Sequence, residues 1–171
     1  MSKVDSGFGN DSPRWILHIA NRPELDDFQH DNFRELESGE VKSVIQQTSN
    51  HWRKVFSIMA KISFSLFDTG CNSWQEYRDT KLLTADGWEA ISYAPYTLSE
   101  GLETLTVICG YTYAESQLDL DSLIPHSESA KLLRVPNRPC FVTPYFDWRQ
   151  LNNELLAVLI KLMSAQLASK R

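Results

Sequence analysis

From Val41 onward, apolar residues fall at Val44, Ile45, Trp52, Val55, Phe56, Met59, Ile62 and Leu66, a helical spacing that holds to residue 67. Thr48, Ser49 and Asn50 interrupt this stripe with good N-cap types, so the pattern predicts one long helix or two in series broken there. Past Val55, Ile58 and Phe64 add apolar positions on the remaining sides. That predicts a central buried helix over 55–67, with Gly70 placed to close it in the left-handed conformation. A second broad stripe of Leu151, Leu155, Val158, Leu159, Leu162 and Met163 predicts a C-terminal helix over 148–168. Between the helical stretches lie short apolar runs of strand type. Trp-Ile-Leu-His-Ile-Ala at 15–20 suits a strand buried on both faces and is ended by Asn21, Arg22 and Pro23. Thr-Leu-Thr-Val-Ile-Cys at 104–109 closes on Gly110, and 88–95 and 140–143 complete the set. Ser73 to Glu76 has the S-x-x-E form of a capping box, which predicts a short helix within 73–83.

This alternation of strand and helix specifies the α/β class: a single three-layer domain with a central, at least partly parallel sheet and the long C-terminal helix packed on it. Residues 1–12 are polar and glycine-containing and read as a flexible N-terminal tail, leaving 13–171 as one domain. A chain of 171 residues buries roughly 70% of its unfolded surface without staples. The three cysteines, Cys71, Cys109 and Cys140, are odd in number and have no C-x-x-C spacing. They are expected to be buried thiols in a reducing compartment, with no disulfide. With no export-type leader and no run of ~18 apolar residues, a cytoplasmic protein without membrane attachment is expected. The formal net charge of -5 opposes the long-range attraction to phosphate backbones that non-specific nucleic-acid binding requires.

Candidate chemistry lies where two strands pass into helices. After 104–109 come Gly110 and then Thr112 to Glu115, a T-x-x-E capping box. After 140–143 come Pro144, Tyr145 and Phe146, and then Asp147 to Gln150, a D-x-x-Q version in which Phe146 and Leu151 match a hydrophobic staple. If the strands are parallel neighbours, both helix N-termini open on the carboxyl edge of the sheet, where unpaired N–H groups and the positive dipole end favour an anion or nucleotide. The ligand-binding candidates are therefore Asn21, Arg22, Gly110, Thr112, Thr143, Tyr145, Asp147 and Arg149. The competing reading makes Thr112 and Asp147 caps and nothing more. Arg149, a cation in a helix's first turn, opposes the dipole and calls for compensation by a nearby carboxylate or by a bound anion or nucleotide.

Elsewhere the residues favour plainer roles. Asp26, Asp27, His30 and Asp31 read as the acidic first turn of a solvated helix rather than a metal site, and neither a metal nor a cofactor is expected. His18 reads as a satisfied core residue, His51 as a surface side chain, and the five tryptophans mainly as core. The chain has no G-x-S-x-G, H-E-x-x-H, G-x-x-x-x-G-K-[ST] or G-x-G-x-x-G pattern, and no catalytic residue is assigned.

The runs Val107-Ile108-Cys109-Gly110 and Val142-Thr143-Pro144-Tyr145, within a stretch from about 102 to 155, resemble the layout of the second half of the uracil-DNA glycosylase superfamily. There a strand enters a small-residue turn and helix, and a later strand ends in a proline-containing loop before a final helix. The family's His-Pro-Ser signature is absent here, since Thr143 precedes Pro144 and no histidine is present. The resemblance implies a glycosylase-like fold, inactive if the signature is indispensable. It also implies a flipped base read by Asn21, Tyr145 and Arg149. Three readings stay open: a binding domain for a small anion, nucleotide or nucleobase; a protein interaction module, with a homodimer among its forms; and a glycosylase-like fold.

Overall fold

The computed structural model describes residues 4–97 and 104–169. The strands are β1 (Gly7–Gly9), β2 (Trp15–His18), β3 (Phe33–Arg34), β4 (Glu89–Ser92), β5 (Leu105–Cys109), β6 (Ile124–Pro125), β7 (Leu133–Arg134) and β8 (Cys140–Thr143). The helices are α1 (Glu40–Gln47), α2 (Asn50–Leu66), α3 (Trp74–Thr80), α4 (Tyr111–Glu115) and α5 (Asn153–Ala168). One mixed sheet runs β3-β1-β4-β2-β5-β8-β7-β6. Its centre is parallel, β4 with β2, β2 with β5 and β5 with β8. On the flanks, β1 against β4, β7 against β8 and β6 against β7 are antiparallel. The molecule is thus an α/β fold whose central strands are buried along their whole length. Such burial on both faces is why these strands read as continuous apolar runs and not as alternating ones.

Alternate residues serve two cores. Trp15, Leu17, Ile91, Val107, Cys109 and Phe141 face α1, α2, α3 and α5 in the main core. Ile108, Cys140 and Val142 face the other way, against Ala114 of α4 and Leu123 and Val135 of the long segment after it. Helix α2 is buried through most of its circumference, at Val55, Phe56, Ile58, Met59, Ala60 and Ile62, as its all-round apolar pattern requires. The break between α1 and α2 falls where the polar triplet places it. Thr48 leaves helical geometry and turns its hydroxyl back to the Val44 carbonyl at 2.7 Å. Ser73 caps α3 by accepting from the Glu76 N–H at 3.1 Å. His18 is buried, its Nδ1 2.8 Å from the Ala94 carbonyl. The cysteines are free thiols; Cys71 is half-buried, whereas Cys109 and Cys140 are buried and burial pushes both up to about 12. Among the described residues, no helix is long and apolar enough to cross a membrane.

Three expectations are corrected. The tail expected over 1–12 is ordered from residue 4, with 1–3 outside the described residues, and residues 7–9 form β1 between β3 and β4. The glycines that suggested looseness are there for close approach. A Cβ on Gly7 would lie 1.9 Å from the Ile91 carbonyl oxygen, one on Gly9 would lie 2.6 Å from Ala90 Cα, and both residues hold positive φ. The C-terminal helix begins at Asn153 and not at 148, because Asn152 takes an extended conformation and its side chain accepts from Leu155 N–H at 2.9 Å. Finally, α2 ends at Leu66, and left-handed Gly70 lies beyond it in the connection to α3.

A buried carboxyl anchors the amino end of the sheet. Glu89, fully buried in β4 beside Trp15, accepts from Ser63 Oγ at 2.5 Å, Tyr77 Oη at 2.7 Å and the Leu83 N–H at 2.8 Å. Ser63 and Tyr77 in turn accept from Trp15 Nε1 at 2.8 Å and from the Trp88 N–H at 3.1 Å. Two donor chains and one backbone N–H therefore converge on one carboxyl group, joining α2, α3, β2 and β4.

Candidate functional site

Strands β2, β5 and β8 run in the same direction, so their carboxyl ends emerge together. From β5 the chain turns at Gly110 (φ 95°), whose N–H continues the ladder to the Thr143 carbonyl at 3.0 Å. A Cβ on Gly110 would sit 3.3 Å from Cδ2 of Tyr145, so the missing side chain leaves room for the tyrosine ring to lie over the turn. From there Tyr145 reaches two other segments. Its hydroxyl is 3.2 Å from Asn21 Oδ1, beyond the end of β2, and 2.7 Å from His51 Nε2 in the first turn of α2. The Tyr145 and His51 rings are also in contact, with centroids 5.1 Å apart and planes tilted by 32°. Burial pushes His51 below its ordinary value, helped by the nearby Lys54 charge, so the imidazole is neutral at pH 7. Burial also raises Tyr145, keeping the phenol protonated. The phenol has one proton. All three groups are satisfied when His51 Nε2–H donates to Tyr145 and Tyr145 donates to Asn21 Oδ1. This direction leaves His51 Nδ1 as an acceptor and Asn21 Nδ2 as a donor.

A second assembly lies one step along α2. Asp147 closes a single turn: its carbonyl accepts from the Gln150 and Leu151 N–H groups, both at 2.8 Å, and its Oδ1 accepts from the Arg149 N–H at 3.0 Å. Its Oδ2 takes Lys54 Nζ at 3.0 Å. The Arg149 N–H bond and the Lys54 ammonium together hold Asp147 below the usual aspartate range. Lys54 also faces the Trp148 ring at 5.5 Å. The turn sends Phe146 and Leu151 into the main core and leaves Trp148 and Arg149 outside.

Residues 6–164 match a family described as a family of unknown function, DUF6942. The chain belongs to that family. Neither a curated protein nor a solved structure matches it.

In this DUF6942 chain, Asn21, Gly110, Thr143 and Tyr145 come together as the parallel strands require, and Asp147 adjoins them through Lys54 and His51. Thr143 contributes backbone only, for its side chain is buried and its hydroxyl donates to the Pro144 carbonyl at 2.8 Å. Three candidates take other roles. Arg22 is engaged by Asp31 at 2.6 Å, by the Phe28 and His30 carbonyls, and by the Tyr93 ring at 4.3 Å, so it braces the 22–31 loop. The same contact uses Asp31, while Asp26 and Asp27 form the first turn of a short 3-10 helix. Thr112 lies inside α4, whose N-cap is Gly110 and has no side-chain cap. Arg149 is not in the first turn of α5, so the conflict with the helix dipole expected of it does not arise; its side chain is 78% exposed, with Nε 3.6 Å from Asp147 Oδ1.

His51, expected as a surface side chain, is half-buried against Tyr145, and Lys54 joins the site without any motif to mark it. A signal exists in the composition at the start of α2, where Arg53 and then Lys54 follow a first turn without any acidic residue, against the favourable sense of the helix dipole. A cavity of about 160 Å³ lies elsewhere, between β6, β7 and α5, lined by Ile124, His126, Leu133, Arg134, Phe141 and Leu162. It is below the roughly 300 Å³ at which small-molecule pockets begin, and none of the Tyr145 cluster lines it.

Proposed function

We propose that this protein is a small-ligand-binding domain that holds a nucleobase, a nucleotide or a small anion at the carboxyl edge of β2, β5 and β8. The observation that carries this reading is the meeting of Asn21, His51 and Tyr145. Three segments remote in sequence deliver a donor, an acceptor and a ring to the strand ends where open α/β sheets bind ligands. The neutral imidazole and phenol suit hydrogen bonding to an uncharged heterocycle, and the first-turn N–H groups of α2 suit a phosphate or carboxylate attached to it. The test is a thermal-shift series with nucleobases, nucleotides and inorganic anions. A ligand at a hundred times its dissociation constant adds about 2.7 kcal/mol to stability. Tyr145→Phe and Asn21→Ala should each reduce that shift, and a full set of compounds producing none refutes the reading.

A glycosylase-like role is the second reading, favoured by one specific contact. Asn21 and Tyr145, two of the three residues that the resemblance implies against a flipped base, are within hydrogen-bonding distance of each other, whereas the third, Arg149, lies against Asp147. Release of free uracil from uracil-containing DNA, lost in Asn21→Ala, supports it; absence of release with intact ligand binding leaves the protein a binder.

A further inference from the structure

The chain's five tryptophans have different fates. Trp15 and Trp52 are buried. Trp88 is stacked on Phe67 at 4.7 Å and 8°, and Trp74 is flanked by Lys61 and Arg78. Trp148 is the exposed one, with 41% of its surface open. Its exposure is built in. Because α5 starts at Asn153, Trp148 falls outside the helix's buried stripe, and the Asp147 turn aims it outward while Phe146 and Leu151 go into the core. The ring is also held, since Lys54 lies at 5.5 Å from its centroid and is itself fixed by Asp147 at 3.0 Å.

His51 and Lys54 are three residues apart on α2, so they occupy neighbouring positions on one helix face, about 5–6 Å apart. His51 carries the Tyr145–Asn21 chain and Lys54 carries Trp148. The polar cluster and the exposed indole are thus successive steps along the same turn of α2. We infer that Trp148 is the stacking surface for the ligand of this site, and that the ligand is a planar heteroaromatic ring of the nucleobase or nucleoside class. The inference rests on the binding reading above and sharpens it. An inorganic anion is the poorer fit to this step because Lys54 is already neutralised by Asp147, whereas a π-face is indifferent to that pairing. The net charge of -5 favours a free nucleoside over a base within a polynucleotide.

The test uses the full chain with adenosine, uridine, AMP, inorganic phosphate and a short single-stranded oligonucleotide, read by tryptophan fluorescence and by thermal shift. Saturable quenching by nucleosides is expected, with affinity reduced roughly 10-fold or more in Trp148→Leu and largely kept in Trp148→Phe, as base stacking on aromatics requires. Melting temperatures of the unliganded variants close to that of the parent chain would show that folding is not the cause. Tighter binding of the oligonucleotide, with the same loss in Trp148→Leu, would assign the ring to a polynucleotide and uphold the stacking. Nucleoside binding weakened by Tyr145→Phe but untouched in Trp148→Leu overturns the role of Trp148 and spares the site. A shift with phosphate and none with nucleosides overturns the ring class. No shift with any compound overturns both this inference and the reading it rests on.

Discussion

Replacing Glu89 by glutamine tests how a carboxyl group can be held in the core with no charged partner in hydrogen-bond contact. The side chain keeps its shape but has one acceptor oxygen in place of two. If that oxygen takes the Oε2 position, Ser63 and Tyr77 keep their acceptor, and the new amide N–H₂ faces the Leu83 N–H across a 2.8 Å contact. One buried backbone donor is then orphaned, at about 1–3 kcal/mol. Leu83 sits in the left-handed region at φ 63°, so its conformation also loses the bond that helps to hold it. With a urea m-value of about 2 kcal/mol/M, a loss of about 2 kcal/mol moves the unfolding midpoint by about 1 M. Acidity adds a second signature. Burial pushes Glu89 above its ordinary carboxyl value, although Ser63, Leu83 and Tyr77 pull it back. The folded chain therefore keeps a proton that the unfolded chain has already released. The parent protein should lose stability as pH rises from about 4.3, the ordinary glutamate value, through the raised folded value. The amide of the Glu89→Gln variant does not titrate, and the remaining groups are common to both chains. The stability gap should therefore be widest at acid pH and narrow as pH rises. Urea titrations of both proteins from about pH 4 to 8, followed by tryptophan fluorescence, measure it. A gap that stays constant across that range, or a variant as stable as the parent at the acid end, refutes this account of the network.

Gly7→Ala places a methyl group 1.9 Å from the Ile91 carbonyl oxygen, so β1 should detach from β4, with a loss of about 3 kcal/mol or more and rapid hydrogen exchange at the Tyr93 amide, which bonds to Ser6. Gly110→Ala combines a positive φ with a contact to the Tyr145 ring; it should cost about 1–3 kcal/mol in denaturant melts and weaken ligand binding together with Tyr145→Phe. Arg149→Ala should leave stability within about 0.5 kcal/mol by thermal melt, because an exposed, loosely paired arginine contributes little; a loss of several kcal/mol would make Arg149 a structural ion-pair partner and refute that assignment.

The strand and helix pattern was legible where burial is continuous. The four central strands and α2 are covered on both faces or all round, so their hydrophobic runs need no tertiary information to be recognised. The peripheral strands were not legible. β1 is Gly-Phe-Gly, and β3, β6 and β7 are two residues each, too short to show a period. The start of α5 was misplaced because Asp147 and Asn152 are both sound caps, and local chemistry does not rank them; Asn152 alone caps α5, while Asp147 is drawn into a separate turn and an ion pair with Lys54.

The sequence by itself determined that the central strands would end in turns at Asn21, Gly110 and Tyr145, because strand length, glycine placement and cap residues are local properties; that these strands run parallel was decided by the tertiary structure. Only the tertiary structure decided which side chains work there. Arg22 was spent on Asp31, and Thr112 was absorbed into α4. His51, unremarkable on its own helix, was brought 2.7 Å from a tyrosine 94 residues away. Periodicity reports which face of an element is buried. It carries no information on which remote residue will stand opposite, and at this sheet edge the opposing residues are what make the site.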